Sequence, residues 1–107
     1  MRPFASLRRR ADFSRVRARG RRIQAPDVIL YRAEAAAIDP LPLVGITVSK
    51  AVGNAVARNT VRRRVTAILD GELAGRVPMR LLIIARPSAN RASFETLRLQ
   101  IGRALAS

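Results

Sequence analysis

The sequence predicts an α+β fold: a two-layer sandwich in which three helices pack on a mixed sheet of about four strands. Three observations carry the prediction. The hydrophobic periodicities run in the order helix, strands, helix, strand, helix along the 107 residues. The stretch LVGITVSK alternates, with Val44, Ile46 and Val48 on one side and Gly45, Thr47 and Ser49 on the other, so that only one side is apolar. RLLIIAR is a short continuous apolar run ended by Pro87, again the pattern of a strand. The length suits one domain, residues 1–107, around one core.

Taken in order, residues 1–10 read as an irregular basic N-terminal arm, with Arg8, Arg9 and Arg10 in a row. ADFSRVRARG places Phe13 and Val16 three apart and ends on Gly20, which predicts a short helix. RRIQAPDVILYRA is rich in β-formers around Val28 to Tyr31, and Pro26 divides it into two short strands. EAAAIDPLP is a polar, proline-marked connection before the alternating strand. Gly53 is a natural turn residue and Asn54 a natural N-cap, so the central helix is expected from there to about Asp70. Val61, Val65, Ile68 and Leu69 recur at helical spacing as its buried stripe. Gly71 and Gly75 mark a loop before the last strand. Ser93 is expected to cap a final helix with Phe94, Leu97, Ile101 and Leu105 facing inward.

Charge narrows the function. Lys and Arg number 21 against 7 Asp and Glu, a net charge of +14, and Lys50 is the only lysine. Such a balance favours a polyanionic partner, and arginine's planar fork of donors matches phosphate oxygens. Cysteine and histidine are absent, which removes the thiolate nucleophile, the usual general base and the commonest metal ligand. The acids are scattered, no GxxxxGK[ST] loop occurs, and no apolar stretch is long enough to span a bilayer or to serve as a signal peptide. A self-contained enzyme is therefore not expected, nor a metal site built from this chain alone, and the protein reads as soluble and intracellular.

The chemistry concentrates in KAVGNAVARNTVRRRV, residues 50–65. A strand ends at Ser49 and Lys50, a small-residue turn follows, and a helix N-terminus emerges from it. Free backbone N–H groups and the positive end of the helix dipole make that N-terminus an anion site. Lys50 and Arg58 flank it, Arg62 lies one turn further on, and Asn59, Arg62 and Arg63 share one side of the helix. No acid interrupts this charge before Asp70; the competing reading is an ordinary solvated basic face. Phe13 and Tyr31 are placed to line a single-strand groove by base stacking, with plain core packing as the alternative for each.

These residues resemble a family. GITVSKAVGNAVARNTVRRRV is similar to the signature of the protein subunit of bacterial ribonuclease P, and LRRRADFSRVRARGRR, VILYRA and LLIIARPSA extend the resemblance over nearly the whole chain. The resemblance implies a noncatalytic subunit that assists a catalytic RNA in removing the 5′ leader of precursor tRNA. It implies Mg2+ required by the holoenzyme and held by the RNA, with no cofactor bound by the protein alone. It assigns Lys50, Asn54, Arg58, Asn59, Arg62 and Arg63 to a surface for the RNA subunit. It assigns Phe13, Arg17, Tyr31 and the strand end at Ser49 to a cleft for the single-stranded leader. It also implies a left-handed crossover between the strands flanking the central helix, against the usual hand. Three positions depart from the pattern: Thr60 where a second arginine is usual, Ala51 where a lysine is common, and Arg17 where an aromatic often stands.

The expected partners are accordingly the ribonuclease P RNA and precursor tRNA, with no membrane and no small-molecule substrate, in the cytoplasm. The alternative is another basic RNA-binding protein, such as a ribosomal protein. A membrane-surface peptide would need an unpacked apolar helix face, which the strand signals argue against.

Overall fold

The structure is a computed structural model and describes residues 2–107. Its elements are β1 (Ala5–Ser6), α1 (Arg10–Arg19), β2 (Arg21–Gln24), β3 (Val28–Glu34), β4 (Leu43–Val48), α2 (Ala55–Glu72), β5 (Met79–Ala85) and α3 (Phe94–Ala106), with 3-10 turns at Lys50–Val52 and Pro87–Asn90. The strands form one mixed sheet in the order β1-β4-β5-β3-β2. β4 and β5 are parallel neighbours joined through α2, while β3 runs antiparallel to both β5 and β2.

The sheet has five strands rather than about four, and the extra one comes from the basic arm. Met1 lies outside the described residues, but Phe4 and Leu7 are buried, and the N–H groups of Ala5 and Leu7 donate to Pro42 O and Val44 O at 2.9 Å. These two bonds lay β1 parallel along the edge of β4. Two apolar residues three apart in a basic segment gave too short a period to announce a strand. Arg2 completes the docking, stacked 5.5 Å above the Phe4 ring and paired with Asp70 at 3.2 Å.

Strand alternation gives the sheet two unlike faces. On the first, Leu30, Leu81 and Ile83 are fully buried against Val65 and Leu69 of α2 and Leu97 and Ile101 of α3. Each such side chain contributes about 1.5–3 kcal/mol by leaving water, so this face holds most of the stability. The second face carries only α1, whose Val16 packs on Tyr31, Leu82 and Leu7.

The helix starts follow the sequence. Asn54 caps α2 by accepting from Ala57 N at 2.9 Å, and Ser93 caps α3 by accepting from Thr96 N at 3.1 Å. Gly53 takes φ 154°, a conformation that L side chains rarely adopt, and a Cβ there would stand 2.9 Å from that of Ala57. α2 continues through Gly71 to Glu72, two residues past the expected end. Phe94, expected inside, is 42% exposed. It is the first residue of α3, ahead of the contact with α2, and the buried stripe begins one turn later at Leu97.

α1 is fastened by charge as well as by Val16. Arg80 of β5 donates to both carboxylate oxygens of Asp39, at 2.8 and 3.1 Å, and to Asp12 of α1 at 3.2 Å. The Arg80 guanidinium holds the Asp39 carboxyl below the usual carboxylate range, helped by the Ala36 N–H. Asp39 in turn raises Arg80 above its ordinary value. Among the described residues, no helix is long and apolar enough to cross a membrane.

Candidate nucleic-acid interface

The first candidate surface is the outward side of α2. Val61, Val65, Ile68 and Leu69 turn one side of this helix into the core, which leaves Asn59, Arg62 and Arg63 exposed on the other. With Arg2 and Asp70 they line a shallow cavity of about 470 Å³ between α2 and the arm. Arg62 reaches Asn59 Oδ1 at 3.4 Å, and Arg63 has no ion-pair partner among the described residues. Asp70, the first acid along the helix, is engaged by Arg2, so the run of positive charge stays uncompensated.

At the start of α2 the capping bond of Asn54 takes the N–H of Ala57, whereas Ala55 and Val56 begin the helix with no intrahelical acceptor. Lys50 is exposed in the preceding 3-10 turn. Arg58 is half-buried and folds back to donate to Gly53 O at 3.0 Å. It therefore braces the glycine turn while standing beside the anion site.

Two neighbours resolve questions raised by the sequence. Thr60 Oγ1 donates to Val56 O at 3.0 Å, back along its own helix. Arg64 does not replace the arginine missing at position 60, because its guanidinium donates to Ala92 O at 3.0 Å and ties α2 to the turn before α3. Of the four helix arginines, only Arg62 and Arg63 are exposed.

The second surface lies on the α1 face of the sheet. Strand register lines up Gln24, Ile29, Ile84 and Thr47 across β2, β3, β5 and β4. Ile29 and Ile84 are half-buried, and Gln24 and Thr47 are exposed, so this row is a platform with apolar middle and polar ends. The next row, Arg22, Tyr31, Leu82 and Gly45, passes beneath α1. Phe13 stands half-buried at the edge of the platform with its ring seated on Gly45, where any Cβ would collide with it. Arg17, one turn on from Phe13, is exposed on the same flank of α1.

The structure thus seats Phe13 on β4 at Gly45, with Arg17 exposed on the same flank of α1, while Ser49 lies exposed just past the end of β4 at Val48. Tyr31 is only 8% exposed and belongs to the packing under α1, leaving little ring face for a base. The middle of the platform is instead Ile29 and Ile84. Sequence reasoning missed this pair because their adjacency depends on the pairing of β3 with β5; the alternation in LVGITVSK set only Gly45, Thr47 and Ser49 on that side. Among the described residues, no three acids come together in a way that would hold a metal ion.

The comparisons with known proteins agree with one another. The family model described as Ribonuclease P matches residues 1–107. The ribonuclease P protein component of Acidothermus cellulolyticus is 39% identical over 101 residues, covering 92% of this chain and 83% of that protein. That of Beutenbergia cavernae is 41% identical over 101 residues, covering 92% and 84%. Among solved structures, the Staphylococcus aureus RNase P protein superposes with a TM-score of 0.84 at 25% identity, over 94% of this chain and 92% of that one. The Thermotoga maritima RNase P protein gives 0.76 at 23% identity over 94% of each, a likeness of fold. Signature, fold and full-length match converge, and the chain belongs to the ribonuclease P protein component family.

Proposed function

We propose that this protein binds the ribonuclease P RNA through the outward side of α2 and holds the single-stranded 5′ leader of precursor tRNA on the α1 face of the sheet. Membership of the family makes the chain the protein subunit of a ribonucleoprotein endoribonuclease of tRNA processing. The observation that supports the finer reading is the uncompensated charge of Lys50, Arg62 and Arg63 beside the capped start of α2. Guanidinium groups there meet phosphate oxygens, and the first-turn N–H groups of α2 add a fixed positive pole.

The platform suits unpaired nucleotides. Base faces lie on Ile29, Ile84 and the edge of Phe13, while Arg17 and Arg22 lie close enough to meet the backbone. Because Arg17 replaces an aromatic, leader contact there is electrostatic rather than stacking. The protein's part is positional: it screens repulsion between two RNAs and lowers the Mg2+ needed for substrate binding. The RNA holds the Mg2+ and carries the chemistry, and the assembly works in the bacterial cytoplasm.

The test is cleavage of precursor tRNA by the cognate RNA subunit at low Mg2+, with and without the protein. A large rise that requires both components supports the proposal; no rise from folded, nucleic-acid-free protein refutes it. Binding must also fall steeply with salt: 6–10 phosphate contacts cost roughly 10³–10⁵ in affinity between 50 and 200 mM.

A further inference from the structure

One acid stands on the outward side of α2, and its partner comes from the arm. Asn59, Arg63, Thr66 and Asp70 follow one another at spacings of three and four along the helix, with Arg62 beside them. They floor the cavity of about 470 Å³, and Arg2 is its wall. Glu72, the other acid of α2, lies against Gly102 of α3. A carboxylate on a surface that faces RNA phosphates works against binding, so the place of Asp70 asks for a reason. Its Oδ1 atom is buried and accepts no hydrogen bond among the described residues; the Arg2 guanidinium, at 3.2 Å, is what answers its charge. The two side chains are 57% and 40% exposed, and an ion pair so open to water adds little to folding stability.

What the pair supplies is the placement of Arg2. Its Nε faces Asp70, and its guanidinium carbon stands 5.5 Å above the Phe4 ring. A guanidinium carries five N–H donors in a planar fork, and contact through Nε leaves the edge made by Nη1 and Nη2 open. Among the described residues Arg2 makes no side-chain hydrogen bond, and Asp70 is its one ion-pair partner. The ring beneath it is anchored, since Phe4 is buried in the core on the α2 side and the N–H groups of Ala5 and Leu7 donate to Pro42 O and Val44 O. Arg2 also lines an adjoining cavity of about 270 Å³ with Arg62 and Thr66. The guanidinium groups of Arg2 and Arg62 therefore border the same space.

We propose that Asp70 is a positioning residue for RNA-subunit binding: it holds Arg2 at the wall of the α2 cavity, where the open edge of the guanidinium takes a phosphate of the RNA subunit beside Arg62 and Arg63. The inference rests on the function proposed above and adds the arm to a surface that the sequence assigned to α2 and the turn before it. A free arginine loses side-chain entropy when it meets a phosphate; one already paired and stacked loses less. The planar fork can be held at one edge and still offer the other, which a lysine ammonium cannot do. Nε cancels the charge of Asp70 in the same contact, so the cavity keeps its positive field.

The experiment measures equilibrium binding of the 107-residue chain to the cognate RNA subunit across a salt series, for R2Q, D70N, R2Q/D70N and R62Q/R63Q. Charge alone predicts that D70N, which removes a negative charge, binds more tightly. Positioning predicts the reverse. R2Q is expected to weaken binding roughly tenfold, the loss of one charge-assisted contact, with a log–log salt slope shallower by about 0.9. D70N is expected to weaken it about threefold, a coupling usual between residues in contact, and the double variant binds no more weakly than R2Q. In the free protein the Ala5 and Leu7 amides keep their protection from hydrogen exchange in R2Q and D70N, which separates misplacement of one side chain from undocking of β1. Unchanged binding by R2Q, tighter or unchanged binding by D70N, additive losses in the double variant, or lost amide protection overturns the proposal. If R62Q/R63Q binds as well as the wild-type protein, the α2 surface itself is refuted.

Discussion

The two faces of the sheet are made by the same strands and are used in opposite ways. The face under α2 and α3 is closed: Leu30, Leu81 and Ile83 have no exposure, and no charged or polar residue is fully buried among them. The reverse face has one short helix for cover, fixed by Val16 and by the Arg80 pairs, and a row of half-exposed residues beside it. Apolar area removed from water scales with coverage, so stability accumulates on the closed face. The open face keeps unburied apolar surface beside arginines, the setting proposed above for an unpaired RNA strand.

This division is broken most directly at neighbouring positions of one strand. Leu81→Ala, on the closed face, is expected to cost about 3–4 kcal/mol in denaturant unfolding. Ile84→Ala, on the open face, is expected to cost about 1–2 kcal/mol because its side chain is already partly in water. It should weaken leader-bearing substrate more than leaderless substrate. If the two variants lose equal stability, the contrast between the faces is wrong.

The Arg80 fastening comes next. Asp39→Asn is expected to cost about 2–3 kcal/mol, since it leaves a largely buried guanidinium with only Asp12. The same pair sets an acid limit. The carboxyl of Asp39 is depressed in the folded protein, so its contribution is fully present above the unfolded value of about 3.9 and is lost as pH falls through the lower folded value. Thermal melts between about pH 5 and pH 3 should therefore destabilise the wild-type protein more than Asp39→Asn; parallel curves would remove the pair as the cause.

Smaller effects sharpen the α2 surface. Asn54→Ala is expected to cost about 1 kcal/mol through loss of the cap and to weaken RNA-subunit binding by disturbing the helix start. Arg63→Ala should change stability by under about 0.5 kcal/mol while making the salt slope of RNA-subunit binding shallower by about 1. A change in leader discrimination with Arg63→Ala would show that the two surfaces are not separate.

Local interactions were legible in the sequence wherever a few neighbouring residues decide the outcome. The caps at Asn54 and Ser93, the break at Pro26 and the inward stripe of α2 all rest on contacts within one or two turns. The arginine-rich helix was readable for the same reason, since its outward side follows from where Val61, Val65 and Ile68 must go. The resemblance to ribonuclease P proteins added the role, which periodicity alone does not contain.

What escaped the sequence depended on distant partners. β1 exists because Pro42 and Val44 offer it carbonyls, and Tyr31 is buried because α1 settles on it. Phe94 is exposed because its helix begins before the core does. Arg58, Arg62, Arg63 and Arg64 look alike in a string, yet Gly53 O and Ala92 O claim two of them and leave two exposed. By itself the sequence determined the class of fold, the positive field and the start of the central helix, all carried by composition and short-range spacing. Only the tertiary structure decided which arginines are free and where the open platform lies, because both follow from strand register and from acceptors tens of residues away.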